Sequence, residues 1–346
     1  MEHSIYMNRC IGLAGLGAGN VAPNPMVGAV LVYKNRIIGE GYHKQYGQAH
    51  AEVNCIASVA EIDKPLIAQS TLYVSLEPCA HFGKTPPCTD LIIANKIPIV
   101  VIGCKDSFTK VNGLGIEKLK LAGIKVIENI LEEDARELNK RFFCFHKNKR
   151  PFIILKWAQT ADGFIAKSNY ESISISNVYT KRWVHKMRAE EAAIMVGSKT
   201  VLYDNPKLTV REWKGNNPVR ITIDKQLRLP IKAAIKNDDA PVIILNELKD
   251  AIEENIHFVN VNRPEDLLPE LMDYLYQKNI QSLLVEGGAI LLQSFLDKNL
   301  WDEAYCITNT AMHLQQGILG PAIPKFATSL HEWNFLNDYI ISYKNQ

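Results

Sequence analysis

The sequence predicts two α/β domains in one chain, and three observations carry that prediction. The chain has 346 residues, more than one domain of ordinary size holds, and 47% of them are hydrophobic, enough for sizeable cores. Strand-like and helix-like segments alternate along nearly its whole length. The alternation breaks once, at the basic cluster Lys147-Asn148-Lys149-Arg150-Pro151, where proline stops a helix. The expected domains are therefore residues 1–147 and 151–346.

In the first domain Tyr6 to Leu16 reads as a helix. Gly28 to Tyr33 and Arg36 to Gly41 read as a hairpin turning at Lys34-Asn35. An apolar helical stretch, Ala51 to Ile62, follows His50. Then come a strand at Thr71 to Leu76, a helix from Cys88 to Asn95 behind Pro86-Pro87, and a strand at Ile99 to Gly103. A helix at Ile116 to Ala122, a strand at Lys125 to Glu128 and a helix from Glu132 to His146 complete the domain. In the second domain strands are predicted at Phe152 to Trp157, Ala192 to Val196, Pro218 to Ile223, Val242 to Leu245 and Ser282 to Val285. Helices are predicted at Val178 to Glu190, Pro264 to Lys278 and Ala289 to Leu296.

Net charge is +2, with both signs mixed along the chain. That does not support a nucleic-acid-binding surface, which concentrates basic residues. The N-terminus lacks the basic and apolar regions of a signal peptide, and no run is long enough to span a membrane. Seven cysteines are scattered without a pairing pattern, which fits a reduced, cytoplasmic setting.

The chemistry concentrates at His50-Ala51-Glu52, Pro78-Cys79 and Cys88. One imidazole and two thiolates are a catalytic zinc set, which leaves a coordination position for water. Zinc base deaminases carry the same order, H-x-E, P-C, Cys, with the glutamate moving protons instead of binding metal. Glu52 is the expected catalytic residue. Eight residues separate the two cysteines, room for a substrate-binding loop. Plainer readings exist: a histidine capping a helix, cysteines filling a core, or a structural zinc site closed by a fourth ligand such as His81. None of them calls for Glu52 two residues after His50. In the second domain Glu286-Gly287-Gly288 sits between a strand and a helix, where a ligand phosphate can approach the backbone. Gly15-Leu16-Gly17-Ala18-Gly19 lacks a preceding strand and reads as a helix end.

Taken together, Ala22-Pro23-Asn24-Pro25-Met26-Val27-Gly28, His50-Ala51-Glu52, and Glu77-Pro78-Cys79 through Cys88-Thr89 resemble the bifunctional riboflavin-pathway deaminase/reductase family. Lys156, Asp162-Gly163, Arg188-Ala189, Thr200-Val201-Leu202, Asp204-Asn205-Pro206, Leu208 to Arg211 and Glu286-Gly287-Gly288 extend the likeness. The resemblance implies a cytidine-deaminase-like three-layer α/β/α domain, then a dihydrofolate-reductase-like α/β domain. It implies zinc on His50, Cys79 and Cys88, with Glu52 as proton shuttle. Asn24, His43, His81 and Lys84 then match the pyrimidine and phosphate pocket. Lys156, Ser172, Arg188, Leu208, Arg211 and Glu286 match reductase substrate positions. Ala158, Ser174, Thr200, Asp204, Gly287 and Gly288 match positions for the cofactor, NADPH. The implied partner is a small phosphorylated pyrimidine, with no nucleic acid and no membrane, and the protein is expected to be a homo-oligomer. Ser174 stands where the family usually has tryptophan, and Ser107-Phe108-Thr109 where it often has Pro-Asn-Pro. The segment after Leu314 also departs, so no site is assigned there. Two other expectations stay open: a zinc deaminase of nucleotides or tRNA with an accessory domain, and a zinc-stabilised binding protein without catalysis.

Overall fold

The computed structural model describes residues 2–82, 86–106, 113–171, 173–237, 240–261 and 267–346. Lys84, Ser172 and the 107–109 departure lie outside the described residues, as does the expected helix start at Pro264. The chain divides into two compact units, Met1–Lys149 and Arg150–Gln346. No helix among the described residues is long and apolar enough to cross a membrane.

The first unit opens with α1 (Glu2–Gly15), then β1 (Gly28–Tyr33) and β2 (Arg36–Tyr42). Lys34 and Asn35 both take positive φ, 45° and 63°, the mark of a type I′ hairpin turn. After these come α2 (Ala51–Ala57), β3 (Thr71–Leu76), α3 (Cys88–Ala94), β4 (Ile99–Cys104), α4 (Leu114–Leu121), β5 (Lys125–Ile127), α5 (Glu132–Leu138) and α6 (Lys140–Asn148). The sheet order is β2-β1-β3-β4-β5. Pairing is antiparallel across β2-β1-β3 and parallel across β3-β4-β5. Alternate residues feed two cores. Ala29, Leu31, Leu72, Val74, Val100 and Ile102 pack with Ala51, Cys55, Ile92, Ile116 and Leu119 of α2, α3 and α4. Val30, Val32, Tyr73 and Val101 pack with Met7, Cys10 and Leu13 of α1. Helices thus cover both faces of the sheet, giving three layers.

Two predicted helices are corrected. The helix after His50 ends at Ala57, not Ile62. The Ser58 hydroxyl donates to the Cys55 carbonyl (2.7 Å) and accepts from the Glu40 amide (2.8 Å), a local alternative to helix continuation. The helix predicted from Glu132 to His146 is two helices broken at Asn139. The Asn139 side chain binds both the amide and the carbonyl of Met26, each at 2.8 Å.

The second unit contains β6 (Phe152–Thr160), β7 (Phe164–Ala166), α7 (Val178–Glu190), β8 (Ala193–Val196), α8 (Ser198–Asp204), β9 (Val219–Ile223), β10 (Val242–Asn246), β11 (Ala251–Glu253) and β12 (Ile256–Asn260). It continues with α9 (Leu267–Gln277), β13 (Ser282–Glu286), α10 (Ala289–Asp297), β14 (Glu303–Asn309), β15 (Ile318–Leu319), β16 (Thr328–Phe335) and β17 (Asp338–Lys344). The main sheet runs β11-β12-β10-β9-β8-β13-β6-β14-β17-β16, parallel from β12 through β14. One face packs against α9 and α10 through Ile153, Leu155, Met195, Ile221, Leu283, Leu271 and Phe295. The chain leaves β6, builds outward through β8, β9 and β10, and returns to insert β13 between β6 and β8. That reversal opens a crevice at the carboxyl ends of the strands, where open α/β sheets place ligands.

Candidate metal centre and reductase cavity

In the first unit His50 is the residue before α2, and Cys88 is the first residue of α3. Cys79 lies just past β3, and the amide and hydroxyl of Thr89 hold its carbonyl, each at 3.2 Å. The His50 side chain does not cap its helix; its Nδ1 instead faces Cys79 Sγ at 3.6 Å and Cys88 Sγ at 3.4 Å. The three ligand atoms lie within 4.8 Å of one another. Tetrahedral zinc with ordinary bond lengths sets imidazole nitrogen and thiolate sulfur about 3.5 Å apart. The donor set and its spacing therefore fit a zinc ion.

Glu52 is the second residue of α2 and is 3% exposed. Burial, and then the Cys79 sulfur, push its carboxyl above the usual range. Hydrogen bonding from Cys88, and then from His50, draws the Cys79 thiol down, while the bond to Cys79 pushes the Cys88 thiol up. His43 is buried beside the cluster, its ring edge-on to His50 with centroids 5.3 Å apart. Burial, then His50, lowers its pKa. The neutral ring donates from Nδ1 to the Ala49 carbonyl (3.1 Å) and accepts at Nε2 from the Asn24 amide (3.2 Å). Asn24 and His43 thus meet at the metal cluster, whereas His81 is exposed.

Sequence reasoning missed the structural part of Glu77. It is buried and accepts from the amides of Asp106 (3.3 Å), Gly113 (3.0 Å), Gly115 (2.9 Å) and Ile116 (3.3 Å). It ties the start of α4 to the strand end that carries Cys79. Gly115 permits the approach, because a Cβ there would stand 2.1 Å from the Pro78 carbonyl oxygen.

In the second unit a cavity of about 830 Å³ opens at the crevice. Every reductase position expected from the sequence that lies among the described residues lines it: Lys156, Ala158, Ser174, Arg188, Thr200, Asp204, Leu208, Arg211, Glu286, Gly287 and Gly288. Glu286 and Lys156 are register partners on β13 and β6. Arg188 grips Glu286 with Nε to Oε1 at 3.0 Å and Nη2 to Oε2 at 2.7 Å, and Lys156 Nζ lies 3.4 Å from Oε2. Burial alone would raise the Glu286 carboxyl, but Arg188 and then Lys156 outweigh it and hold it at about 2. Among the described residues five Lys and Arg side chains line the cavity against three acidic ones, so it favours an anionic ligand. Gly287 and Gly288 take φ of +82° and +78° and bring the turn under the Thr200 hydroxyl. Ser174 Oγ accepts from Lys181 Nζ at 2.6 Å. Lys181, His185 and Lys199 also line the cavity and were not anticipated. For His185 a signal existed, since it lies three residues before Arg188 on one helix face.

Residues 1–104 match the family model described as the cytidine and deoxycytidylate deaminase zinc-binding region, and residues 151–312 match the RibD C-terminal domain. Together with the geometry, these matches define the class: a zinc-region deaminase joined to a reductase-type α/β domain. The riboflavin biosynthesis protein RibD of Aquifex aeolicus is 41% identical over 303 residues, 86% of this chain and 84% of that protein. RibD of Actinobacillus pleuropneumoniae is 38% identical over 312 residues, 87% and 82% of the two chains. The crystal structure of the diaminohydroxyphosphoribosylaminopyrimidine deaminase/5-amino-6-(5-phosphoribosylamino)uracil reductase from Thermotoga maritima superposes with a TM-score of 0.91 at 36% identity, over 99% of this chain and 98% of that one. The chain belongs to the RibD family of bifunctional riboflavin-biosynthesis deaminase/reductases.

Proposed function

We propose that the two units catalyse successive steps on one phosphorylated pyrimidine. The first removes the 2-amino group of 2,5-diamino-6-(5-phosphoribosylamino)pyrimidin-4(3H)-one as ammonia. The second reduces the ribosyl group of the resulting 5-amino-6-(5-phosphoribosylamino)uracil to ribityl with NADPH. The observation that carries this reading is the convergence of His50, Cys79 and Cys88 beside the buried Glu52.

A zinc ion on those ligands supplies Lewis acidity, which brings water ionisation toward neutral pH. Glu52 takes the proton of the attacking water on a carboxylate oxygen and delivers protons to the ring nitrogen and the departing amine. The carboxylate takes that proton in its ionised form, and burial, which raises its affinity for a proton, suits it to carry the proton from water to substrate. The Asn24–His43 pair, fixed by its own hydrogen bonds, forms a neutral wall beside the metal ligands and orients the pyrimidine. Lys84 and His81 are proposed phosphate contacts.

NADPH supplies a hydride to C1 of the opened ribose. Arg188, Lys156 and Arg211 hold the anionic substrate, and Leu208 packs beside it. Glu286 keeps the two buried cations in place without cancelling both. The Gly287-Gly288 turn before α10 and the Thr200 hydroxyl would receive the cofactor's phosphates, as helix starts do; Asp204 would accept from a cofactor hydroxyl, and Ala158 and Ser174 complete the cofactor side.

A coupled assay tests the proposal: ammonia release and NADPH oxidation, each with and without chelator. Chelation should abolish the first and spare the second when deaminated intermediate is supplied. Ammonia release from cytidine, deoxycytidylate or RNA, with none from the diaminopyrimidinone, would replace this reading with a nucleotide or RNA deaminase.

A further inference from the structure

Between α8 and β9 the chain forms one wall of the reductase cavity without helix or strand. Leu208 and Arg211 face the cavity from this segment. Leu208 is buried and takes a φ of +56°, uncommon for a bulky apolar residue. No ladder holds the segment there, so side chains must. Asn217 Oδ1 accepts from the Val210 amide (2.8 Å), and Arg188 Nη1 donates to the Thr209 carbonyl (3.5 Å). His185 Nδ1 accepts from the Arg211 amide at 3.1 Å. His185 and Arg188 thus reach the same four-residue stretch from one face of α7.

We infer that His185 is a positioning residue of the reductase, whose neutral imidazole holds the Leu208–Arg211 wall in its substrate-binding shape through Nδ1. The inference rests on the reductase reading above. An Nδ1 that accepts an N–H carries no proton, so the neutral ring bears its proton on Nε2. The ring is 5% exposed and lines the cavity. Burial first, then Arg188 on α7 and Arg211 on the segment, depress its basicity, while Glu212 on the segment and Glu286 on β13 act in the opposite sense. Protonation would set an N–H donor against the Arg211 N–H and release the wall.

Two variants of the full chain, His185→Leu and His185→Asn, test the role. The Asn side-chain oxygen stands near the place of Nδ1 and accepts but does not titrate. Hydrogen exchange of the Arg211 amide, measured without ligand, should be about tenfold faster in the Leu variant and near wild type in the Asn variant. With deaminated intermediate, the Leu variant should raise KM about tenfold and leave kcat within about threefold, and Asn should restore KM. Wild-type KM should rise as pH falls below the ordinary imidazole range, and the Asn variant should show no such rise. Denaturant unfolding and far-UV circular dichroism, compared with wild type, report that the second unit of each variant is folded. A protected Arg211 amide or an unchanged KM in the Leu variant would overturn the role, as would an Asn variant that fails to restore KM. If wild-type protein oxidises no NADPH, the reductase reading fails, and the exchange measurement still decides whether His185 holds the wall.

Discussion

Glu52 and Glu286 are the same residue type, 3% and 7% exposed, each beside a proposed reaction centre, yet they titrate in opposite directions. Glu52 lies near sulfurs, and burial drives its carboxyl upward. Glu286 lies between Arg188 and Lys156 and is held at about 2. One carboxyl is poised to carry a proton; the other is a fixed negative charge that organises two cations. Burial penalises a charge in both cases, and the nearest partner decides whether the charge survives.

The largest test of this contrast is Glu52→Gln. It removes the proton carrier, and ammonia release should fall about 10²- to 10⁴-fold. Metal content by atomic absorption should stay unchanged, NADPH oxidation should persist, and the melting temperature should not drop. A variant that keeps deaminase turnover would remove Glu52 from the mechanism. Glu286→Gln should behave differently, because it strands two buried cations. The second unit should lose about 3–5 kcal/mol in denaturant unfolding, and NADPH oxidation with it.

The pH dependence sharpens the same comparison. The folded-state pKa of Glu286 is depressed, so its stabilising contribution is complete above the unfolded value of about 4.3. It is lost as pH falls from there toward about 2. Unfolding followed across that window should show the loss in wild type and not in Glu286→Gln. The smallest effect tests packing instead of charge. A Cβ on Gly41 would stand 2.3 Å from the Cys55 amide of α2, the helix that carries Glu52. Gly41→Ala should therefore cost about 1–3 kcal/mol in the first unit by overpacking and weaken zinc retention, read by competition with a chromogenic chelator. Unchanged retention would show that α2 tolerates displacement without disturbing His50.

The metal centre was more legible in the sequence than the cavity. His50, Glu52 and Cys88 sit at helix starts and Cys79 just past β3, in short motifs where residue type and local spacing nearly prescribe the chemistry. The reductase residues are single positions spread from Lys156 to Gly288, and spacing alone did not assemble them; the family resemblance did. Strand and helix periodicity located most elements through α10. It did not anticipate β7, α8, β11, β12 or the strands from β14 onward. Thr328–Phe335 lies in an edge strand with mostly exposed residues, so burial imposes no period-2 signal on it.

By itself the sequence determined the α/β class, the residue types of the metal cluster and the hairpin and glycine turns, because each depends on interactions between near neighbours. Only the tertiary structure decided that Glu286 would face Lys156 across β13 and β6 with Arg188 reaching in from α7. It alone brought the Glu77 carboxylate onto the amides that begin α4, and the His185 imidazole onto the Arg211 amide. Each of these contacts joins groups distant along the chain. Their distances and net charge, and hence their protonation states, exist only once the sheets have closed.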